Sequence, residues 1–132
     1  MTTTGQCHCG AIRYTVEGEP AHAALCHCRD CSRSAGAQMV GWALFPREGV
    51  TISGEPVIYH SSENGRRHFC GSCGTGLFYT SEAMFPGQID VQMATLDDPD
   101  AYPATAHIQI ADDPRWMAGV DELPKFERYP GG

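Results

Sequence analysis

Phe69-Cys70-Gly71-Ser72-Cys73-Gly74 places two thiols around two small residues, the spacing of a metal knuckle. Gly71 and Ser72 let the backbone turn back so that both thiolates face one ion, and Gly74 is free to take a positive φ. A tetrahedral zinc with Zn–S bonds near 2.3 Å sets its sulfurs only about 3.8 Å apart, a spacing that local pairs reach easily. Cys7-His8-Cys9-Gly10 offers a second pair, because positions i and i+2 of an extended segment point the same way. Two local pairs far apart in sequence make a closed four-thiolate site that ties the N-terminal segment to the middle of the chain. Cys7, Cys9, Cys70 and Cys73 are therefore expected to hold a structural zinc. A thioredoxin-like redox role for Cys70 and Cys73 is the alternative, but that motif precedes a helix in a βαβ setting, which is not visible in this sequence.

Cys26-His27-Cys28-Arg29-Asp30-Cys31 differs, because three thiolates leave the fourth position of a tetrahedral ion open to water or substrate. His27 is an alternative fourth ligand, although in an extended Cys-His-Cys its side chain points away from the side its neighbours share. Sulfur-rich surroundings suit an exogenous thiolate better than a carboxylate, and a zinc ion lowers a thiol pKa so that the sulfur binds as the nucleophilic anion. Cys26, Cys28 and Cys31 are thus expected to form a catalytic zinc site, giving two zinc ions per chain. His27 and Asp30, beside the ligands, are candidates for relaying a proton.

The remaining sequence frames these clusters. With 132 residues, 42% hydrophobic and 19% charged, the chain is expected to be one globular domain over residues 1–132. Nine Lys and Arg against sixteen Asp and Glu give a net charge of −7, which argues against nucleic-acid or anionic-membrane partners. No apolar run approaches the roughly 18–20 residues of a membrane span, and the polar start Met1-Thr-Thr-Thr-Gly5-Gln6 lacks a secretory pattern, so a cytoplasmic location is expected. Seven cysteines, an odd count, cannot all pair as disulfides.

Alternation of Ile12, Tyr14 and Val16 with Arg13 and Thr15 predicts a strand, and further short strands are predicted at Ala21–Cys26, Gln38–Phe45, Val50–Ile52, Val57–Tyr59, Gly76–Thr80, Ile89–Met93 and Ala106–Ile110, with a turn at Ser61–Gly65 ahead of Arg67-His68-Phe69-Cys70. Arg29 to Ala35 is left as one helical turn or an irregular loop. Short strands separated by turn signals, with no long amphipathic helix, indicate an all-β sandwich or compact barrel-like arrangement. Trp42, Phe78, Tyr79 and Phe85 read as core, and the tail from Asp112 is expected to pack as extended chain through Trp116, Leu123 and Phe126.

Cys-x-Cys-Gly, Cys-His-Cys-x-x-Cys and Phe-Cys-x-x-Cys-Gly-Thr-x-Leu, in that order, resemble the glutathione-dependent formaldehyde-activating enzyme family, which includes the centromere protein V domain. Gly5-Gln6-Cys7-His8-Cys9-Gly10, Ser61 to Leu77, His107-Ile108 and Asp121-Glu122-Leu123-Pro124-Lys125-Phe126 carry the likeness almost end to end. The resemblance implies a Mss4-like, zinc-stabilised β-sandwich or β-tent. One zinc would be structural, on Cys7, Cys9, Cys70 and Cys73, and a second, catalytic or labile, on Cys26, Cys28 and Cys31.

The implied activity is a carbon–sulfur lyase or synthase that reversibly adds a small thiol such as glutathione to a small aldehyde, formaldehyde in the family's named reaction. An acidic protein needs local cations to receive anionic glutathione, and Arg29 and Arg33, with Arg66 and Arg67, are the candidates. After Cys31 the chain reads Ser32-Arg33-Ser34-Ala35-Gly36, where relatives often carry two basic residues and a Ser-Gly, so the thiol itself is left open. The rival readings are a non-catalytic zinc-stabilised binding module and a thiol oxidoreductase. An oligomer is compatible with the sequence.

Overall fold

A computed structural model describes residues 2–131. Its ten strands are β1 (Thr2–Gln6), β2 (Arg13–Glu17), β3 (His22–Cys26), β4 (Val40–Pro46), β5 (Val50–Ser53), β6 (Val57–His60), β7 (Arg66–Phe69), β8 (Gly76–Thr80), β9 (Gln88–Gln92) and β10 (Ala106–Ile108). One α-helix, α1 (Arg29–Ala35), follows β3. The strands form a three-stranded sheet in the order β1-β2-β5 and a seven-stranded sheet in the order β10-β3-β4-β9-β8-β7-β6. Every pairing is antiparallel except β10 beside β3. The architecture is mainly β, as the strand pattern and the Mss4-like resemblance led us to expect.

Ala43, Phe45, Ile89 and Val91 from one face of the large sheet meet Tyr14, Val16 and Val50 of the small one, and this cluster includes Cys7 and Cys70. Phe45 is completely buried, and removal of such a side chain from water stabilises the fold by about 1.5–3 kcal/mol. The other face of β4 presents Val40 and Trp42, which form a second apolar cluster with Cys26 and Cys31. Period-two alternation therefore serves both faces of β4, one toward the core and one toward the cysteines.

Three local features depart from the sequence reading. β1 was not expected, because Thr2 to Gln6 is polar; it forms through backbone pairing with β2, and Gly5 lies so close to the Tyr14 ring that a Cβ there would sit 2.3 Å from it. Arg29–Ala35 is a full helix: Cys28 caps it, its sulfur accepting from the Cys31 amide at 3.2 Å, and Gly36 ends it in the left-handed conformation. The tail is not extended. Pro114 leads into 3-10 turns over Arg115–Glu122 that turn Met117 inward, leaving Trp116, Leu123 and Phe126 each more than half exposed. Among the described residues no helix is long and apolar enough to cross a membrane.

Candidate metal centres

The sulfurs of Cys7, Cys9, Cys70 and Cys73 all lie within 4.8 Å of one another. Cys9 Sγ is 3.7 Å from Cys7 Sγ and 3.8 Å from Cys70 Sγ, matching the edge of a tetrahedron of thiolates around zinc and far too long for a disulfide. Cys70 and Cys73 occupy the β7–β8 connection, closed by Cys70 N–H to Thr75 O at 2.9 Å and Gly74 N–H to Cys70 O at 2.8 Å, with Gly74 at φ +82°. The Ser72 and Cys73 amides both aim at Cys70 Sγ from 3.4 Å.

The first pair is built differently from the extended segment expected. Gly10, at φ +82°, folds the chain so that its amide donates to Cys7 O at 3.1 Å, and it is this turn that brings Cys9 Sγ toward Cys7 Sγ. Cys7 Sγ accepts from the Ile12 amide at 3.2 Å. Thr75 links the two halves: its hydroxyl accepts from His8 N–H at 3.0 Å and lies 3.2 Å from Cys73 Sγ. The Thr75 hydroxyl and amide hold the Cys73 thiol down at about 5.

Cys26, Cys28 and Cys31 also bring their sulfurs within 4.8 Å of one another, at the junction of β3 with α1. Burial pushes the Cys26 thiol up to about 12 and raises Cys31 as well, against the opposing pull of Arg67. Three sulfurs packed this closely have the soft donor character and spacing that fit a divalent ion such as zinc. Both clusters have the composition and spacing of metal sites, one with four sulfurs and one with three.

His27 is buried and is absent from the converging sulfur cluster. Its Nδ1 lies 2.7 Å from Asp113 Oδ1 and its Nε2 2.9 Å from His107 Nδ1. Asp30 is exposed in the first turn of α1 and close enough to Tyr79 to raise its phenol, whose main cause of shift is burial. Arg29 and Arg33 are exposed on α1, and Arg66 is engaged with the carbonyls of Ser62, Glu63 and Gly65.

The cation brought to the cluster is Arg67. Its Nη2 lies 3.7 Å from Cys31 Sγ, its guanidinium carbon stands 5.1 Å from the Tyr79 ring centroid, and its buried Nε has no hydrogen-bond partner. Arg67 also lines a cavity of about 380 Å³, together with Ser34, Trp42, Tyr59, Phe78 and Gln92. Trp42 and Phe78 are therefore pocket wall as well as core. The arrangement sets a small, partly aromatic cavity next to three convergent thiols, joined to them by Arg67 and Trp42.

A β-rich frame carrying one cluster of four cysteines and one of three, each able to hold a metal ion, defines the class of protein. This chain belongs to the glutathione-dependent formaldehyde-activating enzyme family, whose sequence pattern matches residues 2–112. A Halomonas elongata protein named "Putative glutathione-dependent formaldehyde-activating enzyme" is 26% identical over 133 aligned positions, spanning 89% of this chain and 80% of that protein. An uncharacterized lyase of Schizosaccharomyces pombe is 26% identical over 112 positions, spanning 74% of this chain and 82% of its own. The crystal structure of a Rhodobacter sphaeroides protein superposes with a TM-score of 0.57 at 26% identity, covering 77% of this chain and 99% of that one.

Proposed function

We propose that this protein is a carbon–sulfur lyase that reversibly joins a small thiol to a small aldehyde, with glutathione and formaldehyde, the compounds in its family's name, as the first pair to test. The observation that carries this reading is the three-sulfur cluster with a cation-bearing cavity at its side. Cys26, Cys28 and Cys31 would hold a zinc ion, and Cys7, Cys9, Cys70 and Cys73 a second, structural one. When bound at three cysteines, zinc supplies an open coordination position that favours an incoming thiol as its anion.

The chain's own residues do the rest. Arg67 and the aromatic walls receive the anionic body of the thiol, while Arg29 and Arg33, out on α1, add longer-range attraction. In the forward direction the sulfur's electron pair forms the C–S bond, the carbonyl π pair moves to oxygen, and that oxygen takes a proton. In reverse the hydroxyl loses the proton and the C–S bond breaks. Asp30, exposed beside the cluster, is the proton-handling group we assign, in exchange with water. His27 has both ring nitrogens engaged, so its part in proton transfer is indirect. A reducing cytoplasm suits seven cysteines that must stay available as ligands.

The test is two-dimensional NMR exchange between ¹³C-formaldehyde hydrate and S-hydroxymethylglutathione. Zinc-loaded protein should speed the exchange and the Cys28→Ser variant should not. Failure of fully loaded wild-type protein to accelerate exchange with any small thiol overturns the reading.

A further inference from the structure

β10 and the segment after it form an arm that returns to the three-cysteine loop and holds it at four points, two from the strand and two from beyond it. β10 lies parallel to β3 with Ile108 opposite Cys26, and the His27 amide donates to Ile108 O at 3.0 Å. The His27 ring, 4% exposed, is bracketed by Asp113 Oδ1 at 2.7 Å and His107 Nδ1 at 2.9 Å. The Arg29 amide, at the first residue of α1, donates to Asp112 Oδ2 at 3.0 Å. Cys26 and Cys28 direct their sulfurs into the cluster, while the residue between them is bound to this arm.

The arm reaches the loop through a costly bend. Gln109 has φ +61°, the one non-glycine residue with positive φ among those described, and the 3-10 turn Ile110–Asp112 follows directly. A side chain in the left-handed region is disfavoured, and such strain persists only where surrounding contacts demand it. The bend brings Asp112 and Asp113 back onto residues 27 and 29. Asp113, His27 and His107 thus form one hydrogen-bonded chain.

We propose that Asp113, His107 and Asp112 are positioning residues for the three-cysteine site, fixing residues 26–29 so that the three sulfurs stay convergent. This rests on reading Cys26, Cys28 and Cys31 as a metal site. The four-cysteine cluster is tied to a different part of the fold, through Thr75 and the β7–β8 connection, so the arm tunes one site and not the other. Outer partners of metal sites commonly contribute about 10–100-fold in affinity.

The experiment is cobalt binding to the full chain in competition with a chelator, followed by the sulfur-to-cobalt charge-transfer and d–d absorption bands. Wild-type protein should bind two ions of distinguishable affinity. Asp113→Ala and Asp112→Ala should each weaken the second ion about tenfold or more and shift its d–d bands, with the first ion unchanged, and Asp113→Glu should recover part of the loss. Equal weakening of both ions, which marks general destabilisation, or no change in either, overturns the proposal. A wild-type chain that binds only one ion overturns instead the reading of the three cysteines on which it rests.

Discussion

Arg67 Nη2 stands 3.7 Å from Cys31 Sγ while the same guanidinium stacks on Tyr79, so the cation in the cavity is held in register with the three-cysteine cluster. A charge fixed there acts on whatever enters beside the sulfurs. Arg67→Met keeps much of the side-chain volume and removes the charge. It should raise KM for glutathione about tenfold, equivalent to ~1.4 kcal/mol, with a smaller change in kcat. Steady-state kinetics with glutathione and with an uncharged thiol checks this, since the uncharged thiol should show little difference between variant and wild type.

Cys28 caps α1, and the proposed zinc site gives it a second, separable duty as a ligand. Serine is a good N-cap, so Cys28→Ser keeps α1 while removing a thiolate. The variant should retain a melting temperature within a few degrees of the four-cysteine-loaded protein, yet lose one equivalent of metal and the exchange activity. Metal analysis beside calorimetry distinguishes this from unfolding.

Cys7 and Cys70 belong to the main core, so in the proposed reading the four-cysteine cluster carries stability rather than chemistry. Cys70→Ser should lower the melting temperature by more than about 10 °C, since a structural zinc contributes directly to folding. Thermal unfolding of Cys70→Ser alongside Cys28→Ser should rank Cys70→Ser far below.

Asp90 on β9 is buried, its Oδ1 lacks a hydrogen-bond partner, and the nearest cation candidate, His22 Nε2, lies 3.9 Å away. Burial holds its carboxyl up at about 7, against an unfolded value near 3.9. Between those values the native state binds more protons than the unfolded one, so this group's contribution is complete below about pH 4 and is lost as pH rises to about 7. Asp90→Asn removes that loss. Its melting temperature relative to wild type should be higher at pH 8 than at pH 5, and an equal difference at both pH values would contradict the assignment.

Much of the frame is legible in the chain itself. Cys7, Cys9, Cys70 and Cys73 announce their partnership by local spacing, because small loops bring sulfurs together at low entropic cost, and Val40, Trp42 and Leu44 mark a strand by alternation. The parts that escape are those set by tertiary pairing. β1 forms from Thr2–Gln6 because β2 offers an edge, and no apolar pattern signals it. The Cys7–Cys9 pair converges through the Gly10 turn and not through strand periodicity. Among four candidate arginines, only the register of β7 beside β8 places Arg67 at the cysteines, and Asp113, 86 positions from His27, has no local sequence signal at all.

In the proposed reaction the three-cysteine cluster takes a fourth sulfur from an external thiol. Zinc K-edge absorption of the fully loaded protein, recorded without and then with glutathione, measures this directly. Two zinc ions per chain are expected, with a gain of one sulfur ligand, at one of the two, when glutathione is added. A single zinc per chain, or a sulfur count that glutathione does not change, would contradict it.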